Sequence, residues 1–170
     1  MNNESKLKDE QYIYIVKDII DNEEFNKTKE IGHHGLNRFD HCLRVSYYSY
    51  KISKFLRLDY DKVARAGLLH DFFFVDNNNV DITKRLDVLI NHPKYAITNS
   101  KRYFELSDKE EDMIASHMFP VSFKLPRYME SWVVDIVDNV VAVGEALYST
   151  RKYLGVAVNF LILILLNYWR

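Results

Sequence analysis

The chain has 170 residues, with 23 Lys or Arg and 24 Asp or Glu, so its formal net charge is −1 at pH 7. This length predicts one domain that buries a core, and the near-neutral charge excludes a global basic field that would recruit nucleic acid. The single cysteine, Cys42, excludes an internal disulfide framework and fits a reducing compartment. The N-terminal sequence lacks the apolar region of a signal peptide, so we expect a cytoplasmic protein.

The low number of glycines and prolines, five and three, favours long helices and few turns. Apolar residues at helical spacing predict a first helix over Asp9 to Phe25, and two glycines predict a loop over Lys27 to Leu36. The next two helices are predicted over Arg38 to Leu56 and from an Asp59 cap to about Asp71. A helix that begins at Asp81 or Thr83 is expected to stop before Pro93, and another covers Lys94 to Phe104. A Ser107–Glu110 capping box begins the next, and the last two are predicted over Ser131 to Tyr148 and in the tail. Residues 75–81, VDNNNVD, have the composition of a turn. Because no strand alternation of useful length occurs, the sequence predicts a single-domain, all-α helical bundle.

Six potential metal ligands lie in these predicted helices: His41, His70, Asp71, His92, His117 and Asp138. At 100° per residue, His41 shares an apolar stripe with four later residues, Val45, Tyr48, Ile52 and Phe55. His70 shares a stripe with small residues that include Gly67, so another helix can approach it closely. In the long helix, Asp138 lies at the flank of the apolar face, whereas Asp135 is expected to face solvent.

A single inward histidine is usually a core residue bonded to a backbone carbonyl, but this combination is harder to explain that way. Buried carboxylates must be paired, and no lysine or arginine occupies the same inward stripes. The sequence therefore predicts one or two divalent transition-metal ions, with Fe, Mn, Co, Ni or Zn favoured by mixed histidine and carboxylate ligation. His33 and His34, in the glycine loop, are weaker candidates, and Cys42 is expected to pack in the core.

The positions of these residues resemble the HD-domain metal-dependent phosphohydrolases over roughly residues 36 to 145. The resemblance rests on His41, on the stretch ARAGLLHD that ends in His70 and Asp71, and on Asp138 in the sequence VDN. It looks closest to small stand-alone bacterial members of the two-metal type, including dinucleoside-polyphosphate hydrolases. By that resemblance, the first metal is held by His41, His70, Asp71 and Asp138. Asp71 then bridges to a second metal, which His92 and His117 also hold.

Three departures from the family pattern bear on the substrate. Phe72, Phe73 and Phe74 follow the His–Asp pair, where many members carry a glycine and a lysine. Met118 follows His117, so the doubled histidine of cyclic-dinucleotide phosphodiesterases is absent, and residues 72–81 show no Glu–Asp pair of the alarmone-hydrolase kind. Both of these branches become less favoured.

The expected function is hydrolysis of a nucleotide or another small phosphate ester by a metal-activated water, with Asp71 and Arg38 as the catalytic residues. Positive charge for the substrate phosphate is expected from four residues: Arg38, Lys94, Lys124 and Arg127. The substrate pocket is predicted between Arg38, the VDNNNVD loop and the segment Pro120 to Arg127. The alternative is a non-catalytic module that keeps the metal and senses a nucleotide or docks a partner, which the phenylalanine run favours slightly.

We divide the chain into an N-terminal helix and loop (1–35), the metal-binding core (36–150) and an apolar C-terminal helix (151–170). The segment Tyr153 to Trp169 carries no charge and would reach about 26 Å as a helix, a little less than the hydrocarbon layer of a bilayer. It is expected either to pack within the domain or a homodimer, or to contact a membrane. No nucleic-acid partner is expected.

Overall fold

The computed structural model describes residues 9–33, 36–74 and 82–168, with side chains described for residues 9–32, 37–74 and 86–151. The described part is built from seven α-helices: α1 (Glu10–Ile20), α2 (Glu23–Asn26), α3 (Arg38–Phe55), α4 (Tyr60–Leu69), α5 (Ile82–Ser100), α6 (Asp108–Ser116) and α7 (Met129–Tyr168). The predicted all-α class is confirmed. The VDNNNVD loop and His34 lie outside the described residues.

The two predicted helix caps have different outcomes: the Ser107–Glu110 cap forms, whereas Asp59 occupies the N-cap position of α4 without a capping hydrogen bond from its side chain. The Asn37 side chain accepts the Asp40 amide at the start of α3, and Ser107 and Glu110 form a reciprocal capping box at the start of α6. Asn22 also caps a helix, because its side chain accepts the Phe25 amide at 3.0 Å. The predicted single helix over residues 9–25 is therefore wrong, since α1 ends at Ile20 and α2 begins at Glu23.

The predicted loop over Lys27 to Leu36 has more structure than expected. A 3₁₀ helix covers Lys27–Glu30, and a short antiparallel pair of strands follows, β1 (Gly32–His33) and β2 (Leu36–Asn37). This hairpin leads directly into α3, and so fixes where that helix begins.

Pro93 lies inside α5 and does not separate two helices, contrary to the sequence-based expectation. A proline has no N–H to donate to the carbonyl four residues earlier, which here belongs to Leu89. The His92 ring compensates, because its Nδ1 donates to that same carbonyl at 2.9 Å. The Leu89 carbonyl is thus satisfied, and the helix continues to Ser100.

The long helix and the tail form one continuous helix, α7, of 40 residues. The predicted boundary after Tyr148 is wrong, because the charged pair Arg151–Lys152 does not break a helix and no proline or other strong breaker stands there. In the described part of the chain, no helix combines the length and apolar character needed to cross a bilayer.

The contact between α3 and α4 is close because α4 carries a glycine where the two backbones meet. A Cβ atom on Gly67 would lie 2.7 Å from the Ser46 Cα atom, which is closer than real side chains approach. The Ser46 hydroxyl also donates to the Ala64 carbonyl at 2.6 Å and pairs with the Tyr12 hydroxyl at 2.7 Å, joining α1, α3 and α4. The predicted close helix approach at Gly67 is confirmed, and it brings the end of α4 beside α3.

The inward stripe predicted on α3 is only partly buried. Val45 is in the core, but Ile52 and Phe55 are exposed. Ser49, Tyr50 and Ser53 are fully buried, so the second half of α3 packs through a different face from the predicted stripe. The core itself is formed mainly by the facing sides of α1, α3, α4, α6 and the first half of α7.

Candidate metal centre

Five helices converge at one buried site and each contributes to it. The contributing residues are His41 from α3, His70 and Asp71 at the end of α4, His92 from α5, His117 at the end of α6 and Asp138 from α7. All six side chains are buried. The structure thus brings together all six residues that the sequence analysis proposed as metal ligands.

Three of the histidines are fixed in the same way by their own helices. Each Nδ1 contacts the carbonyl oxygen three residues earlier: His70 to Gly67 at 2.8 Å, His92 to Leu89 at 2.9 Å and His117 to Ile114 at 2.7 Å. Because a carbonyl oxygen can only accept, Nδ1 must carry the proton in each ring. In the neutral form that can bind a metal, the Nε2 atom of each of these rings is therefore left with a lone pair that faces the site.

The contacts inside the site call for a positive ion. The Nε2 atoms of His92 and His117 lie 3.0 Å apart, although in their neutral forms both present lone pairs. Nε2 of His70 and Oδ1 of Asp71 are buried and make no hydrogen bond within the described residues. Their nearest charged neighbours are Asp138 Oδ1, 3.5 Å from the His70 atom, and His92 Nε2, 3.3 Å from the Asp71 atom. Buried groups of this kind are costly unless a partner binds them, and a divalent cation would satisfy all of them.

The potential ligand atoms form three overlapping groups, in each of which they lie within 4.8 Å of one another. These groups are His41 with His70 and Asp71, His70 with His117 and Asp138, and Asp71 with His92 and His117. Nitrogen and carboxylate ligands in this mixture suit transition metals better than Mg²⁺ or Ca²⁺. The residues present therefore fit one or two such ions, with Asp71 shared between two of the groups.

His41 is held differently, between two carboxylates. Its Nε2 is 2.9 Å from Asp138 Oδ1, and its Nδ1 is 2.9 Å from Glu145 Oε2. Glu145 also accepts a hydrogen bond from Arg44 at 3.0 Å. Glu145 was not predicted from the sequence as part of the site. It follows Asp138 by seven residues, or two helical turns, and so lies on the same face of α7.

Burial and the neighbouring charges shift the pKa values of these side chains in different directions. Burial alone would lower the pKa of His41, but the hydrogen bonds with Asp138 and Glu145 outweigh it and raise the pKa to about 10. For His117, burial dominates, the charge of His70 adds to it, and the pKa falls to about 4. Burial opposes ionisation of Asp138, yet the neighbouring imidazoles His70 and His41 hold the pKa of this carboxyl well below its usual range.

A cavity of about 330 Å³ opens onto the cluster. Arg38 lines it and is itself buried, with its guanidinium carbon 3.9 Å from the centre of the Phe73 ring and one Nη donating to the Phe73 carbonyl. The Nε atom of Arg38 makes no hydrogen bond within the described part of the chain. The rest of the lining includes Asn139 and an apolar wall of Phe73, Val88, Leu89, Met118 and Ala142.

The other three cations expected at the substrate do not line this cavity in the described part of the chain. Lys94 and Lys124 are exposed, and Lys94 donates to Asn91 at 2.9 Å. The Arg127 guanidinium is turned toward Asp112, with Nε 2.7 Å from a carboxylate oxygen. Cys42 packs in the core as expected.

Asp135 does not face solvent, contrary to the sequence-based expectation. It is only 5% exposed, and its Oδ1 atom makes no hydrogen bond to the described residues. Burial and the nearby charge of Asp138 raise the pKa of Asp135 to about 6, against a hydrogen bond from the Phe119 backbone. The apolar pattern of α7 did not predict this burial, because the segment after α6, which includes Phe119, covers this side of the helix.

The family described as HD domain matches residues 38–143, which include all six clustered ligands. The chain belongs to the HD domain family. The buried cluster of this HD domain extends from His41, near the start of the matched range, to Asp138, near its end. Searches of curated proteins and of solved structures gave no match.

Proposed function

We propose that this HD-domain protein is a metal-dependent phosphohydrolase that acts on a nucleotide or another small phosphate ester. The observation that carries the proposal is the buried cluster of four histidines and two aspartates at the base of a cavity that also holds a buried arginine. Divalent cations bound there would supply an activated water and offset the negative charge of the phosphate.

The residues of the chain divide the remaining tasks between them. The Nε2 atoms of His70, His92 and His117 are pre-oriented by the Nδ1 hydrogen bonds of their rings, so no ring has to turn in order to bind. Asp71 belongs to two of the three ligand groups, as His70 and His117 do, but of these three it alone has a second oxygen that could bind another ion. The pKa of its carboxyl is low because the charge of His70 outweighs burial, so it is ionised and ready to ligate at neutral pH.

Arg38 is the residue we propose to hold the substrate phosphate. The Phe73 ring and carbonyl fix the guanidinium at the edge of the cavity, while its Nε atom has no hydrogen-bond partner among the described residues. A fixed guanidinium suits phosphate oxygens, and the apolar wall opposite suits the organic part of an ester. Lys94, Lys124 and Arg127 remain outside this arrangement.

The proposal is tested by screening nucleotides, dinucleoside polyphosphates and chromogenic phosphomonoesters and phosphodiesters with protein loaded with Mn²⁺ or Fe²⁺. We expect turnover that chelation abolishes and that Asp71→Asn removes together with the metal. Protein that binds metal and nucleotide without hydrolysing any ester would instead identify the nucleotide-sensing module, which the phenylalanine run favours. Protein that binds no metal under any loading condition would contradict both.

Arg38→Ala tests the phosphate contact once a substrate is known. We expect kcat/KM to fall about 10- to 100-fold, the usual effect of losing a charged hydrogen bond, while elemental analysis shows unchanged metal content. Lys94→Ala is the matched control, since it removes an exposed cation near His92 and should leave kcat/KM unchanged. Loss of metal in Arg38→Ala, or equal effects of the two substitutions, would contradict the assignment.

A further inference from the structure

The outward face of α7 carries a row of exposed apolar side chains that no part of the described chain covers. Ile136, Val140, Val143 and Leu147 are 56, 66, 59 and 66% exposed. Their spacing of four, three and four residues is the spacing of a helix that packs along another helix. The sequence continues the same spacing to the end of the helix, through Thr150, Leu154, Ala157, Leu161, Ile164 and Tyr168.

This face also forms one wall of an apolar groove between α7 and α3. The groove has a volume of about 760 Å³, and its walls include Ile136, Val140 and Gly144 from α7 and Tyr48 and Ile52 from α3. No described atom lies within 4 Å of the position that a Cβ atom on Gly144 would occupy, so a neighbouring backbone has room to approach there. The groove is separate from the metal cavity, with which it shares no lining residue among those described.

The continuity of α7 determines which segment can fill this groove. The same unbroken helix lines the groove and then runs on to Tyr168, so residues 149–168 extend about 30 Å along the helix axis beyond it. Long helices curve only gently, so this tail cannot turn back into a groove that its own helix forms. A tail from a second chain meets no such restriction.

We propose that two copies of this chain associate through antiparallel α7 helices, so that the tail of each copy lies in the α3–α7 groove of the other. A two-fold axis near the middle of the helices pairs the part of one α7 that lines the groove, residues 136–148, with the tail of the other, residues 149–168. The symmetry gives two identical contacts. Residues 153–168 carry no charge, so more than one face of the tail is apolar. A tail that lies between α3 and α7 of the second copy has more than one of its faces covered. The seam from Ile136 to Tyr168 is about 50 Å long and about 10 Å wide on each helix, so the pair buries on the order of 1,000 Å², which reaches the lower limit for a biological interface before the contacts with α3 are added.

The first test is the oligomeric state of the full-length protein, measured by sedimentation velocity over a range of concentrations. We expect a dimer, and we expect Val140→Glu and Leu161→Glu each to weaken dimerisation at least about 100-fold, because each would bury an unpaired charge. Tyr14→Glu is the control: it introduces the same charge at an 85% exposed aromatic residue on α1 and should leave the dimer intact. Metal content, measured in parallel, should stay unchanged in all three.

The second test distinguishes the antiparallel arrangement from a parallel one. Cys42 is buried, so introduced cysteines dominate disulfide formation. Chains with Val140→Cys are mixed with chains that carry Ala157→Cys or Leu161→Cys, and the mixture is oxidised. Mixed disulfides in excess over self-linked chains are expected, whereas Val140→Cys chains that link only to themselves would overturn the antiparallel pairing.

Two other results would overturn the proposal as a whole. One is a wild-type protein that remains monomeric at about 100-fold above the concentration used for activity assays. The other is a monomer that sediments with phosphatidylcholine vesicles and is released by Leu161→Glu, because the tail would then contact lipid and not a second chain.

Discussion

Glu145 is not among the proposed metal ligands, but it contacts one of them, His41, directly. It accepts from Nδ1 of His41 and from Arg44, so it fixes the ring whose Nε2 faces Asp138. Groups that orient a ligating histidine in this way typically contribute about 10- to 100-fold to metal affinity. Glu145 is therefore a positioning residue for the metal centre.

We expect Glu145→Gln to weaken metal binding about 10-fold and to lower the pKa of His41, because the substitution removes a carboxylate that raises it. Isothermal titration calorimetry gives the affinity, and NMR titration of the ring protons in metal-free protein gives the pKa. Glu130→Gln is the matched control on the same helix, since Glu130 is equally buried but contacts Lys109 away from the centre. Equal effects of the two substitutions would show that Glu145 acts only through the stability of the fold.

The His92–Pro93 pair shows how one side chain serves both the site and the backbone. The Nδ1 proton of His92 occupies the Leu89 carbonyl that Pro93 leaves without a donor. In chelator-treated protein, His92→Ala should therefore lower the free energy of unfolding by about 1–3 kcal/mol, the cost of a buried carbonyl left unsatisfied.

A double-mutant cycle separates this effect from lost packing. With Pro93→Ala in place, the backbone amide of the introduced alanine can donate to Leu89, so His92→Ala should cost less in that background than in the wild type. Urea unfolding of the four proteins measures the difference. An identical cost in both backgrounds would show that the His92 hydrogen bond does not replace the missing proline donor.

At the scale of helices, the contact of α3 with α4 sets the distance between the first ligands. Gly67 lies against the Ser46 backbone, three residues before His70, while His41 lies five residues before Ser46 on α3. The ring centres of His41 and His70 are 5.3 Å apart as a result of this close packing. A larger residue at Gly67 must push the two helices apart.

Gly67→Ala should lower the free energy of unfolding by about 1–3 kcal/mol, the usual range for overpacking, and should weaken metal binding as well. Gly32→Ala provides the control, because its Cβ would meet no described atom within 4 Å and the change should stabilise the protein by up to about 1 kcal/mol. Chemical denaturation of both variants checks the opposite signs. A neutral Gly67→Ala would mean that α3 and α4 can separate without loss.

For the whole molecule, metal binding and protonation are coupled through His41 and His70. The hydrogen bonds of His41 with Asp138 and Glu145 overcome burial and raise its pKa to about 10, and the charges of Asp138 and Asp71 overcome burial to raise the pKa of His70. His41 is therefore protonated at neutral pH in metal-free protein, and the raised pKa of His70 increases its protonated fraction in the same way. A ring must lose the Nε2 proton before that nitrogen can bind a metal.

We expect metal binding at about pH 7.5 to release between about one and two protons, and the affinity to fall as the pH is lowered. The carboxylates add nothing to this release, because the pKa values of Asp71 and Asp138 are lowered and both are already ionised. Calorimetric titrations in buffers of different ionisation enthalpy count the protons. A binding enthalpy independent of the buffer would contradict the coupling.

The features that the sequence predicted correctly depend on local chemistry or on short motifs. The Ser107–Glu110 capping box and the glycine at the α3–α4 contact follow from spacing within single helices. The convergence of the histidines on one site was implied by the resemblance to HD-domain proteins, since spacing within one helix does not relate five helices to each other. The features that it missed depend on partners distant in sequence. Asp135 is buried by the segment after α6, which no periodicity within α7 reveals.

Two predicted helix boundaries, at Pro93 and before Tyr153, are wrong because the local sequence does not show how the backbone hydrogen bonds continue there. The proline rule placed a helix boundary at Pro93, and only the position of the His92 ring shows why the helix continues. The charged pair at Arg151–Lys152 marked a boundary in composition, but charge on a helix surface does not interrupt backbone hydrogen bonds. Glu145 was overlooked although its spacing from Asp138 was visible.

His70 and His117 occupy the C-cap positions of α4 and α6, where each ring also binds a carbonyl of the last turn. The same hydrogen bonds that finish these helices thus fix the orientation of the ligands before any ion arrives. We therefore expect ion capture to require no folding of the site, only loss of the Nε2 protons and of the ion's own water molecules. On this ground we expect Mn²⁺ or Fe²⁺ to enter ahead of Mg²⁺, which gives up its water reluctantly.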